Sequence, residues 1–178
     1  MISDLSQVKL FVLDVDGVLT DGGLYMGAQG ELAKRFDAKD GMGLSLLLRH
    51  GIKVAFLTGR GQGIVQRRAQ ELRIPYCFEG VKDKRRQLLQ LAESLRLSAD
   101  EIAYMGDDLN DLPAFAAAGH RFAPADGVAE VRQLADYVTQ SRAGHGAVRE
   151  VAEVLLKSRG LWDDIVREYL VEGQGDRQ

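Results

Sequence analysis

The sequence predicts an α/β fold, a parallel doubly wound sheet with helices on both faces, built as one domain. Three observations carry this. Short apolar runs alternate with longer stretches of helical spacing along the whole chain, so that each strand must return through a crossover. Several of those runs are apolar at every position, as strands buried on both faces are. The length, 178 residues, suits a single core of ordinary size, and 46% apolar with 28% charged residues is the composition of a globular chain.

The first run, residues 10–15, ends in Asp14-Val15-Asp16-Gly17, two carboxylates two positions apart and then a glycine that lets the backbone turn tightly. Two short runs around Gly27-Ala28-Gln29-Gly30 suggest a β-hairpin over about 23–36 that projects from the domain. Asp37 to Gly43 reads as a connection before a helix from Leu44 that ends near His50-Gly51. Val54 to Leu57 is a second buried strand, stopping at Thr58-Gly59-Arg60, and a helix spans 63–72. Tyr76-Cys77-Phe78 is a brief third strand, and Lys84 opens a helix to Leu95 with Leu88, Leu91, Ala92 and Leu95 at helical spacing.

Ser98-Ala99-Asp100-Glu101 fits a capping box, although Ile102 to Met105 directly after it reads as a fourth strand. Gly106-Asp107-Asp108-Leu109-Asn110-Asp111 then opens a helix running to Ala118. Strands at 120–123 and 137–138, and helices at 128–134, 147–158 and 162–170, complete a domain over residues 1–170. Residues 171–178, rich in glycine and polar groups, read as a flexible tail.

A net charge of −3 gives no basic field for nucleic acid or an acidic membrane surface. One cysteine, Cys77, excludes an internal disulfide and a cysteine-based zinc site. The N-terminus carries no signal-peptide pattern and no apolar run is long enough to span a bilayer, so a cytoplasmic location is expected.

A parallel sheet brings its strand ends to one edge, which gathers Asp14, Asp16, Thr58, Lys84, Asp107 and Asp108. Two unit charges about 4 Å apart repel by about 4 kcal/mol at an effective dielectric near 20. Three carboxylates and a phosphate dianion therefore demand cations, and a hard divalent ion such as Mg²⁺, with Lys84 opposite it, meets the need. Asp14 can then attack phosphorus as a nucleophile. Asp16 can protonate the leaving alkoxide and deprotonate water, while Thr58 and nearby backbone amides bind phosphoryl oxygens. Lys82 competes with Lys84 for its role, and Asp107-Asp108 before a helix has the alternative reading of an N-cap.

These residues resemble the haloacid dehalogenase-like phosphohydrolases, whose four motifs match Asp14-Val15-Asp16-Gly17-Val18-Leu19-Thr20, Leu57-Thr58-Gly59-Arg60, Lys84, and Gly106 to Asp111. The resemblance implies a three-layer Rossmann-like fold, an aspartyl-phosphate intermediate, and Mg²⁺ held by Asp14, the Asp16 carbonyl and Asp107, with Asp108 and Asp111 orienting that group. The spacings from Asp14 to Thr58 and from Thr58 to Lys84 are already spent on the elements above, so no cap domain fits.

One capless branch is similar in detail over residues 14–30, 40–43 and 144–151: the phosphatases of 3-deoxy-D-manno-octulosonate 8-phosphate (Kdo 8-phosphate) in lipopolysaccharide synthesis. That resemblance implies a small acidic sugar phosphate as substrate and a homotetramer joined through the hairpins, a partner's tail closing each site. It would place Asp37, Ala38, Lys39, Asp40, Gly41, Arg60, Arg68 and Lys84 around the sugar acid. Ser45 stands where that branch suggests another basic residue. The alternatives are a phosphatase of another acidic sugar phosphate, such as a nine-carbon ulosonate 9-phosphate, and a catalytically silent scaffold. His145, between two glycines, reads as a loop or subunit-contact residue.

Overall fold

A computed structural model describes residues 4–61 and 63–171. Six parallel strands form the sheet: β1 (Leu10–Leu13), β4 (Lys53–Leu57), β5 (Tyr76–Phe78), β6 (Ile102–Met105), β7 (His120–Ala123) and β8 (Tyr137–Val138), in the order β5-β4-β1-β6-β7-β8. Two further strands, β2 (Tyr25–Gly27) and β3 (Gly30–Ala33), pair antiparallel as a separate hairpin, shorter than the 23–36 expected. The helices are α1 (Ala38–Arg49), α2 (Ile64–Glu71), α3 (Lys84–Leu95), α4 (Leu112–Phe115), α5 (Ala129–Leu134), α6 (Ala147–Ser158) and α7 (Trp162–Val171).

The continuous burial of β1 follows from its central place. Phe11 and Leu13 point into one core with Leu44, Leu47, Val148, Val151 and Leu155, while Leu10 and Val12 face the other with Leu88, Leu91, Phe115 and Val131. Three layers result, with α1, α2, α6 and α7 on one face and α3, α4 and α5 on the other. From β1 the chain crosses to β4, and from β6 it crosses the opposite way to β7. The strand order therefore reverses between β1 and β6, which is where open α/β sheets bind ligands. Among the described residues, the connection from β1 to β4 holds only the hairpin and α1, and that from β4 to α3 only α2 and β5, so there is no room for a cap domain.

Helix α1 begins at Ala38, six residues before the Leu44 expected, because Gly41 and Gly43 suggest a loop by composition. Asp37 caps the helix, accepting a hydrogen bond from the Lys39 amide at 2.8 Å. A Cβ on Gly43 would lie 3.1 Å from the Arg149 Cα and the Ala152 Cβ of α6, so the glycine is where the two helices touch. The helix expected to run from the Asp107 loop to Ala118 is instead a 3₁₀ turn, Leu109–Asp111, followed by the single turn α4. Val171 belongs to α7, and the rest of the expected tail lies outside the described residues.

Asp40 is fully buried, and its carboxylate accepts from the Arg149 amide at 2.8 Å and the Gly146 amide at 3.4 Å. Gly146 caps α6 with no side chain of its own, so Asp40 acts as a cap supplied from α1. Asp40, one of the expected substrate contacts, thus has a structural use at the start of α6. Burial raises its pKa to about 6 against the amide bonds that lower it. The folded value exceeds the unfolded one, so folding favours the protonated acid. Measured against Asp40→Asn by urea unfolding, the wild-type protein should lose stability as pH rises from about 4 to about 6 and stay level above. Asp40→Ala should cost about 1–2 kcal/mol near pH 4 by stripping the cap, and less as pH rises through 6.

Candidate active site

Asp14 follows β1 directly, and its amide donates to the Met105 carbonyl of β6 at 3.0 Å, which fixes it at the reversal point of the sheet. Its Oδ1 accepts from the Val15 amide at 2.7 Å and its Oδ2 lies 2.7 Å from Lys84 Nζ. Lys84 Nζ also donates to Asp111 Oδ1 at 2.7 Å, and this ammonium is buried. Lys82, its rival, is exposed.

Asp111 is spent on holding its neighbours. Its Oδ1 accepts from Lys84 and from the Tyr104 hydroxyl at 2.7 Å, and its Oδ2 accepts from the amides of Asp107 at 2.9 Å and Asp108 at 3.3 Å. Asp108 caps the 3₁₀ turn through the Leu109 amide at 2.7 Å. The N-cap reading therefore holds for Asp108, while Asp107 faces inward: a Cβ on Gly17 would fall 2.1 Å from Asp107 Oδ2. Gly17 has φ +82°, a conformation open to glycine, and no side chain fits between the two loops. Tyr104 was not anticipated as part of this cluster. A tyrosine in an otherwise apolar strand is the available signal, because a buried hydroxyl needs a partner.

The carboxylates are crowded enough to resist ionising. Burial first, and then Asp111, push Asp14 to about 7 against the opposing Lys84 charge. Burial, followed by Asp14, Asp111 and Asp108, pushes Asp107 to about 8. Burial alone would lower the pKa of Lys84, but Asp14 and Asp111 outweigh it and raise it. Asp107 Oδ1 is buried with no hydrogen-bond partner. Asp14, Asp107 and Asp111 each present an oxygen, all within 4.8 Å of one another. All-oxygen donors in this state of mutual repulsion fit a hard divalent cation. Both oxygens of Asp14 and of Asp111 already accept hydrogen bonds or a salt bridge, and Asp107 Oδ1 is left without a partner.

Asp16 lies two residues beyond Asp14, in the loop after β1. Its Oδ1 pairs with Lys34 Nζ of the hairpin, and its buried Oδ2 has no hydrogen-bond partner, with Arg60 Nε 4.0 Å away. Thr58 is buried after β4; its Oγ accepts from the Arg60 amide at 3.2 Å. Thr20 ties the Asp16 loop, accepting from the amides of Gly17 at 3.4 Å and Gly22 at 3.2 Å.

The remaining expected contacts gather at the start of α1. Arg68 of α2 packs against Gly41, over the Phe36 ring at 5.5 Å, and pairs with Glu71 at 2.9 Å. Ala38 and Lys39 are exposed, and Ser45 Oγ donates to the Gly41 carbonyl at 3.1 Å. His145 packs its Nδ1 on the Ala143 carbonyl at 2.9 Å, in the loop before α6. Cys77 is half-buried, and burial pushes its thiol up to about 11.

The haloacid dehalogenase-like hydrolase family model matches residues 78–151. A Haemophilus influenzae 3-deoxy-D-manno-octulosonate 8-phosphate phosphatase is 41% identical over 156 residues, 88% of this chain and 87% of the relative. The solved cobalt-bound phosphatase of that substrate from Haemophilus influenzae is 39% identical, with TM-score 0.91 over 94% of this chain and 99% of that one. The Moraxella catarrhalis phosphatase, solved with a magnesium ion, a phosphate ion and a Kdo molecule, is 38% identical, with TM-score 0.90 over 93% and 95% of the two chains. A buried aspartate–lysine cluster at the reversal of a parallel sheet, joined to these likenesses over nearly the full length, places the chain: it belongs to the haloacid dehalogenase-like hydrolases, in the capless branch that holds the Kdo 8-phosphate phosphatases.

Proposed function

We propose that this protein hydrolyses Kdo 8-phosphate to Kdo and inorganic phosphate, with Mg²⁺, as a cytoplasmic step of lipopolysaccharide synthesis. The observation that carries the chemistry is Asp14, braced by Lys84 on one oxygen, beside the unpartnered Asp107 Oδ1. Asp14, Asp107 and the Asp16 carbonyl would hold Mg²⁺, which would supply the positive charge that lets a phosphate dianion approach these carboxylates.

Asp14 attacks phosphorus, the bond from phosphorus to the sugar oxygen breaks, and Asp16 delivers its proton to the departing alkoxide. Asp16 then takes a proton from water as the water oxygen attacks phosphorus, the bond to Asp14 breaks, and phosphate leaves. Thr58 Oγ and the amides of the Asp14 loop hold the phosphoryl oxygens, and Lys84 balances their charge from within the protein. Arg60 and Arg68 are the cations available to the sugar carboxylate, with the Asp37–Gly41 turn beside Arg68.

Residues 1–170 form one phosphatase domain in this reading, and the assembly is a homotetramer. The hairpin supports that assembly, for it exposes Leu24, Tyr25, Met26 and Leu32, Leu32 at 72%. Among the described residues no helix is long and apolar enough to cross a membrane.

Phosphate release from Kdo 8-phosphate, measured beside a panel of sugar phosphates with Mg²⁺ and with EDTA, tests the reading, with Asp14→Asn as blank. Strong Mg²⁺-dependent preference for Kdo 8-phosphate is expected. Preference for a nine-carbon ulosonate phosphate would move the substrate and leave the mechanism. A folded, Mg²⁺-binding protein that turns over nothing would be a scaffold.

A further inference from the structure

The hairpin reaches the reaction centre through Lys34, a residue that no motif singles out. Its ammonium pairs with Asp16 Oδ1 and, at 2.8 Å, with Glu31 Oε1 on the same hairpin. The Lys34 side chain is 2% exposed, against 18% for Asp16 and 5% for Glu31, so this is not a solvated surface pair. A lysine costs a great deal to bury unless its charge is met, and here two carboxylates meet it. The base of the hairpin is held as well: Arg35 Nη1 donates to the Gly144 carbonyl at 2.6 Å, in the loop before α6. Lys34 is therefore presented from a docked element.

On the Asp16 side the requirement is evident. Asp16 Oδ2 is buried without a hydrogen-bond partner, and the guanidinium of Arg60 is 4.0 Å off and half exposed. Asp16 follows the sheet in a loop turned by Gly17, so neither a helix nor a strand sets its side chain. An acid that serves two successive proton transfers must keep one oxygen aimed at the reacting group, and a misplacement of about 1 Å can cost about 10²-fold in rate. A salt bridge to one oxygen leaves the other free to face the substrate.

We infer that Lys34 is a positioning residue for Asp16: the hairpin ammonium anchors Asp16 Oδ1 so that Oδ2 is presented to the leaving and attacking oxygens. This rests on the reading of Asp16 as the acid and base of the reaction. It also gives the hairpin a part in catalysis, in a fold that has no cap domain to order the site.

The test compares Lys34→Met, Lys34→Arg and Asp16→Asn on two substrates with Mg²⁺, Kdo 8-phosphate and p-nitrophenyl phosphate. Aspartyl-phosphate formation is followed as the burst of released leaving group in the first turnover. The nitrophenolate leaves without a proton, so it needs Asp16 only in the second, hydrolytic step. Lys34→Met should lower the rate of the first step on Kdo 8-phosphate by about 10- to 100-fold and change the nitrophenol burst rate by less than about threefold, with KM little altered on either. Lys34→Arg, which keeps the cation, should recover much of the loss and covers the case in which Lys34→Met folds poorly.

Equal losses on both substrates, or a loss that lies in KM, would overturn the inference and make Lys34 a substrate contact or a structural prop. An unchanged burst rate on Kdo 8-phosphate would overturn it too. Asp16→Asn separates the two claims: if it lacks the same dependence on leaving group, the role of Asp16 fails first, whatever Lys34 does.

Discussion

Asp14→Asn should abolish turnover and, in metal-free buffer, raise the melting temperature. The loss of activity follows from the atom removed: an amide has no oxygen nucleophile to take the phosphoryl group, so phosphate release should fall by at least about 10⁴-fold with no trapped phosphoenzyme. The gain in stability follows from the surroundings of Asp14. Burial and the Asp111 charge raise its pKa from 3.8 to about 7, although Lys84 works against them. The folded value lies above the unfolded one, so the ionised acid weakens the fold progressively as pH rises from about 4 to about 7, and fully above that. Lys84 keeps its 2.7 Å contact with Asp111 in the variant, so no buried charge is orphaned.

Removing this charge should stabilise the metal-free protein by roughly 2–4 kcal/mol at pH 8, about 4–16 °C in a domain of this size, and much less at pH 5. Thermal unfolding in EDTA at the two pH values reads this directly. Adding Mg²⁺ should raise the wild-type protein more than the variant, because the variant has lost a ligand. A lower melting temperature for Asp14→Asn at pH 8 in EDTA would mean that the Asp14–Lys84 pair holds the fold together more than carboxylate crowding strains it.

What the sequence shows of this site depends on how local its causes are. The run ending at Asp14 is apolar at every position because β1 lies mid-sheet with a core on each face, and that pattern is visible in the chain. Parallel order then forces Asp14, Thr58 and Asp107 to one edge, so their meeting can be inferred without coordinates. The start of α1 could not be read, because Gly41 and Gly43 look like loop chemistry until α6 and Arg68 are seen packed against them. The same holds for Asp40, which looks like a ligand of the substrate in sequence and in the fold caps a helix more than a hundred residues away. Lys34 and Tyr104 are the converse: tertiary folding brings Lys34 to Asp16 and Tyr104 to Asp111.

Lys84→Met should be the most damaging single change to stability. The ammonium contacts both Asp14 and Asp111 at 2.7 Å, and methionine keeps the volume of its stem while removing the charge. Two buried carboxylates are then left facing each other, with Asp107 beside them already pushed up to about 8. Breaking one partner from a buried ionic cluster costs about 3–5 kcal/mol. The penalty grows as pH rises, because Asp14 and Asp107 have folded pKa values above their unfolded ones. Urea unfolding in EDTA should therefore show the variant much weakened at pH 8 and closer to the wild-type protein near pH 5, where Asp14 and Asp107 hold their protons.

Mg²⁺ should recover part of the stability of Lys84→Met, since a divalent ion supplies charge to the same oxygens. It should not recover activity, which should stay down by about 10³-fold or more, because the ion cannot also stand where Lys84 balances the phosphoryl oxygens. The two readouts thus part company in one protein. If added Mg²⁺ restored turnover along with stability, Lys84 would be a counter-ion for the fold only, and the cation that balances the phosphoryl oxygens would have to come from elsewhere, with Arg60, 4.0 Å from Asp16, a candidate.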